Sequence, residues 1–135
     1  GERARFELSS FNDPFPTCDA ITACISLHHV PSLEKKQALY QRAYNALRPG
    51  GIFVNADAAV PTHGKEKERL YRYWARHLVA GGIPEERAWQ HFEEWAEEDS
   101  YFSLTEELAA LTAVGFDAHC AWREGPSAVV LGRRL

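Results

Sequence analysis

A chain of 135 residues, 45% of them hydrophobic and 25% charged, has enough apolar content for one core and is read as a single soluble domain over residues 1–135. Its formal net charge of −4 gives no electrostatic reason to bind nucleic acid or an anionic membrane, and no apolar run reaches the roughly 20 residues that span a bilayer. Cys18, Cys24 and Cys120, odd in number and in strand-like segments, predict buried free thiols in a reducing, cytoplasmic setting and no disulfide framework; the opening Gly1–Arg5 lacks the apolar stretch of a signal peptide.

Arg5-Phe6-Glu7-Leu8-Ser9 alternates polar and apolar residues and predicts a half-buried strand, ended by the turn formers of Ser10–Pro14. Ala20 to Leu27 is nearly all apolar, as expected of a parallel strand covered on both faces. Pro31 and Ser32 open a helix with Ser32 as N-cap, and Leu39, Ala43 and Leu47, four residues apart, form its inward stripe. Arg48 suits the helix C-terminus, Pro49-Gly50-Gly51 stops the helix, and Ile52–Asp57 is a second apolar strand. Strand, helix and strand within about thirty residues make a right-handed βαβ unit.

Residues 62–100 are charged, helical and aromatic. Leu70, Trp74, His77 and Leu78 share one stripe, closed by Gly81-Gly82; a helix from Pro84 carries Ala88, Trp89, Phe92, Trp95 and Ala96 on one face. Their aromatics read first as packing faces, and His63, His77 and His91 as solvated. Glu85-Glu86 suits its helix N-terminus; Glu97-Glu98-Asp99 is poorly placed for the helix dipole. Ser103-Leu104-Thr105-Glu106 is a capping box for a third helix ending at Gly115. Phe116–Trp122 and Ala128–Gly132, joined by a Gly-Pro turn, predict a closing antiparallel hairpin.

Leu27-His28-His29-Val30-Pro31 followed by Leu47-Arg48-Pro49-Gly50-Gly51, with the hairpin at the end, resembles the later two-thirds of a class I S-adenosylmethionine-dependent methyltransferase. The resemblance runs from about Arg5 to Arg134. It implies an α/β, Rossmann-like, three-layer α/β/α fold, incomplete because the first two βα units are absent, with residues 62–100 as a helical lid. By that resemblance Ser10 stands where an acidic adenine ligand is expected and Phe11 is its apolar neighbour. Ala23, Cys24 and Ile25 border the methionine part of S-adenosylmethionine, His28 faces the active-site mouth, and His29 is the candidate catalytic residue. The family's glycine-rich loop has no counterpart, since Pro49–Gly51 and Ala80–Gly82 both follow helices. No metal set is expected, because adjacent residues on an extended chain point to opposite sides.

The implied activity is methyl transfer to a small-molecule acceptor, without nucleic acid or membrane partners. The alternative is a noncatalytic binding or assembly module that keeps the fold without the cofactor. In the family's sheet order the first strand lies beside the fourth, so Ala20–Leu27 is expected as an unpaired apolar edge. That predicts a homo-oligomer, a swapped strand such as Phe6–Ser9, or a bound N-terminal segment.

Overall fold

The computed structural model describes residues 3–135. In chain order it contains β1 (Cys18–Cys24), a 3-10 turn (Leu27–His29), α1 (Leu33–Ala46), β2 (Leu47–Ala58), α2 (Lys65–Ala80), α3 (Glu85–Trp95), α4 (Leu104–Ala113), β3 (Asp117–Glu124) and β4 (Ser127–Arg133). The four strands form one sheet in the order β1-β2-β4-β3. β1 pairs with β2 in parallel, Ile21 beside Phe53 and Cys24 beside Ala56, while β4 runs antiparallel to both β2 and β3. This is the expected mixed sheet closed by a reversed hairpin. Among the described residues no helix is long and apolar enough to cross a membrane.

Local chemistry sets most boundaries. Ser32 Oγ accepts the Lys35 backbone N–H as the α1 N-cap, and Ser103 and Glu106 form the reciprocal capping box of α4. Pro84 sits at the cap of α3, one residue before its first turn. The helix before Pro49 stops at Ala46, earlier than expected, because a residue preceding proline is driven out of the α region. Leu47–Gly51 therefore begins β2, and Arg48 lies on the strand, bonded to Asp19 at 3.0 Å, not at a helix end. A Cβ on Gly51 would come within 2.9 Å of two backbone oxygens, those of Arg48 and Asp19. Only glycine lets the two strands approach there. At the hairpin Gly125 takes a φ of 53°, as the first residue of a two-residue turn requires.

The core lies on one face of the sheet. Leu39, Tyr40 and Ala43 of α1 and Ala110 and Leu111 of α4 pack with Leu47, Phe53, Phe116 and Val130. The opposite face lacks its layer: Ala20, Thr22 and Cys24 are exposed, and Val54, Ala56, Val129 and Leu131 are only half-buried. This is the incomplete Rossmann-like layout. β1 is thus not covered on both faces, and it ends at Cys24, short of Leu27. Cys24 is exposed and Cys18 and Cys120 are half-buried, so the three thiols are free but not all buried. No strand forms at Arg5–Ser9, where Phe6 and Leu8 are exposed, and β1 keeps an open edge among the described residues. Alternation alone does not hold a strand that finds no ladder partner.

One polar joint crosses the core. Lys36 Nζ and the Tyr40 hydroxyl each donate to a different oxygen of Glu107 at 2.5 Å, tying α1 to α4 with all three groups buried. Burial, then the Glu107 charge, pushes the Tyr40 phenol well above its ordinary value, so it remains a donor. Glu107→Ala leaves the Lys36 ammonium buried without a partner and is expected to lower stability by about 3–5 kcal/mol in urea unfolding. The triple change Lys36→Met, Tyr40→Phe, Glu107→Leu should recover most of that loss; a single-variant cost below about 1 kcal/mol would contradict the burial of the joint.

Candidate active site

The parallel pairing brings the C-terminal ends of β1 and β2 side by side, where open α/β sheets bind ligands. Asp57, near the end of β2, anchors the turn that leaves β1. Its carboxylate accepts the His28 backbone N–H at 3.1 Å and His28 Nδ1 at 2.9 and 3.0 Å. An ionised carboxylate only accepts, so Nδ1 carries a hydrogen, and in the neutral form of the ring the lone pair is on Nε2. Nε2 lies 3.7 Å from Asp99 Oδ1, too far for a hydrogen bond.

Asp99 comes from the turn after α3, fastened by Ser100, whose N–H donates to the His28 carbonyl at 2.7 Å. Its second oxygen accepts the Tyr101 hydroxyl at 3.0 Å. Burial, then the Asp99 charge, pushes the Tyr101 phenol far above its ordinary value, so Tyr101 stays protonated and donating. A cavity of about 400 Å³ opens here, lined by Cys24, Ile25, His28, Asp57 and Asp99 and walled by Trp74, Trp95, Tyr101 and Trp122. It contains two carboxylates and no Lys or Arg.

The residues singled out from sequence fall into three places. Cys24, Ile25 and His28 line the aromatic cavity. Ser10, Phe11 and His29 meet in a separate, smaller cavity of about 220 Å³, with Arg42 and Lys35. Ala23 lines neither, because strand alternation turns it toward the core. Ser10 is occupied locally: its hydroxyl accepts the Asn12 N–H at 3.1 Å and its own N–H donates to Asp13. Phe11 is 43% exposed and so is not a core residue.

His28 and His29 do not point to opposite sides. The chain is a 3-10 turn there, and the two rings lie 4.3 Å apart. His29 Nδ1 reaches Asp99 at 3.2 Å. The sequence reading passed over Asp57, Asp99 and Tyr101. Two signals pointed to the acids: Asp57 at the end of a parallel strand, and Asp99 behind a helix C-terminus where the dipole disfavours it. The aromatics of α2 and α3 do pack together, Trp74 on Phe92 and on Trp95 with ring centroids 5.3 and 5.8 Å apart, yet Trp74 and Trp95 also face the cavity.

No protein-family model matches the chain, and no curated protein does. Solved structures do. The methyltransferase SibL in its apo form superimposes with a TM-score of 0.64 at 19% identity, covering 98% of this chain and 36% of that one. Human N-acetylserotonin methyltransferase in complex with SAM gives 0.64 at 17% identity, over 99% of this chain and 34% of that one. An O-methyltransferase family 2 protein from Planctomyces limnophilus in complex with apigenin gives 0.59 at 17% identity, over 93% and 32%. The fold is therefore that of class I S-adenosylmethionine-dependent methyltransferases. The chain spans about a third of the length of these structures.

At the cavity mouth Ile25 holds a φ of 49° while its N–H donates to Ala56 at 2.8 Å. A β-branched residue there is strained by about 1–3 kcal/mol. Ile25→Gly relieves that strain at an unfolded-state cost of about 0.4–1 kcal/mol, so the thermal midpoint should rise. A midpoint lowered by the change would show that Ile25 is held by packing instead.

Proposed function

We propose that this chain is the acceptor-side part of an S-adenosylmethionine-dependent methyltransferase acting on a small molecule, with residues 62–100 as its lid. The observation that carries the reading is His28, fixed through Nδ1 by Asp57, with Nε2 free beside an aromatic-walled cavity at the strand ends. The cofactor supplies, when bound, an electrophilic methyl group on a sulfonium. The fit to it is partial. Cys24 and Ile25 offer one wall at the end of β1, whereas Ser10 is engaged in its own turn and the glycine-rich loop has no counterpart in these residues.

On this reading His28, not His29, takes the proton that the acceptor loses as its lone pair attacks the methyl group. Asp57 holds the productive tautomer and steadies the imidazolium that forms. Trp74, Trp95 and Trp122 provide flat apolar surface for the acceptor, and the pair of carboxylates without a Lys or Arg disfavours an anionic one. Methyl transfer is mainly a matter of alignment, which the lid helices supply by excluding water.

The test is release of S-adenosylhomocysteine by the protein expressed from its complete reading frame, against a panel of neutral phenols and amines. His28→Ala should lower turnover about 10²–10⁴-fold. Asp57→Asn should lower it by a smaller factor, and His29→Ala least. Absence of S-adenosylmethionine binding in calorimetry would overturn the reading in favour of a noncatalytic assembly module.

The open edge of β1 and the uncovered sheet face belong to the same proposal. They fit a missing segment of a longer chain or a second copy. The 135-residue chain alone is expected to self-associate, with a mass in light scattering that grows with concentration. A monomer that persists at high concentration would refute this.

A further inference from the structure

Three side chains converge where the turn Leu27–His29 meets the loop after α3. His29 Nδ1 lies 3.2 Å and His28 Nε2 3.7 Å from the same atom, Asp99 Oδ1. One ligand atom from each residue lies within 4.8 Å of the other two. Zinc bonded to nitrogen and oxygen at about 2.0–2.2 Å in a tetrahedron holds its ligand atoms roughly 3.3 Å apart. The two spacings to Asp99 bracket that value.

The surrounding hydrogen bonds aim the donors. His28 Nδ1 is committed to Asp57 at 2.9 Å, so only Nε2 is left to coordinate. Asp99 Oδ2 is committed to Tyr101 at 3.0 Å, so only Oδ1 faces the common point. These are the outer-shell contacts that fix tautomer and orientation in metal centres: a carboxylate behind a ligating histidine and a donor behind a ligating carboxylate. His29 is half exposed and can turn its ring and change tautomer at little cost.

We propose that His28, His29 and Asp99 form a divalent transition-metal site of the zinc class, three protein ligands with a fourth position opening toward the aromatic cavity. Binding of the ion stands on this geometry alone. Its consequence rests on the methyl-transfer reading: ion and acceptor proton compete for the same lone pair on His28 Nε2, so zinc should inhibit turnover.

The experiment is calorimetric titration of zinc chloride into the 135-residue chain, with Co²⁺ as a spectroscopic probe. One Zn²⁺ per chain at micromolar affinity or tighter is expected, with the visible absorption of four-coordinate Co²⁺. His29→Ala, a change on a half-exposed side chain, should abolish both signals while circular dichroism stays unchanged. Asp57→Asn should weaken binding by about 10–100-fold. Absence of binding would overturn the proposal, as would binding untouched by His29→Ala and by Asp99→Asn, which would place the ion elsewhere, for instance on the exposed Cys24 thiol. Zinc binding in a protein that never binds S-adenosylmethionine would sustain the metal site while removing the methyl-transfer reading.

Discussion

Asp57 is the constraint on which the site depends. One carboxylate on β2 receives both the ring and the main-chain N–H of His28, so the chain leaving β1 must turn at Leu27–His29 instead of continuing as a strand. The turn presents the His28 carbonyl to Ser100, which brings Asp99 and Tyr101 across from the loop after α3. A strand end, a turn and a helical excursion are thereby joined through hydrogen bonds to one imidazole and its backbone. Such charge-assisted bonds in a half-buried setting are stronger than neutral ones.

The same arrangement explains the chemistry of the cavity. A histidine held at Nδ1 by an acid has a defined tautomer and a basic nitrogen directed outward. Whether that nitrogen meets a substrate proton or a metal ion, the requirement on the protein is alike: the far side of the ring must be fixed. The aromatic walls come from α2 and α3, from Tyr101 in the loop after α3 and from Trp122 of β3. Trp74 packs on Phe92 and Trp95, so α2 and α3 present large apolar faces to the pocket as one packed unit.

The sheet is asymmetric in its support. One face is packed by α1 and α4 and locked by the Lys36–Glu107–Tyr40 joint. The other is roofed only near the strand ends, leaving the outward side chains of β1 in solvent. The solved methyltransferases that share the fold are about three times as long as the part matched here, and their likeness at 17–19% identity speaks to architecture alone.

By itself the sequence determined the elements that depend on local chemistry. Ser32 and the Ser103–Glu106 box mark helix starts because caps act within one turn. The parallel pairing of the two apolar runs and the closing hairpin were legible from hydrophobic period and a Gly-Pro turn. What tertiary structure decided was everything governed by partners distant along the chain. Arg5–Ser9 alternates like a strand but finds no ladder, and β1 gives way to a 3-10 turn because Asp57, 29 residues on, takes His28. His28 and His29 share one acid from the loop after α3, 70 and more residues away, a meeting that no local period encodes. Strand and helix rules follow from repeating backbone geometry, whereas a site forms where separate elements end, and only packing sets which ends meet.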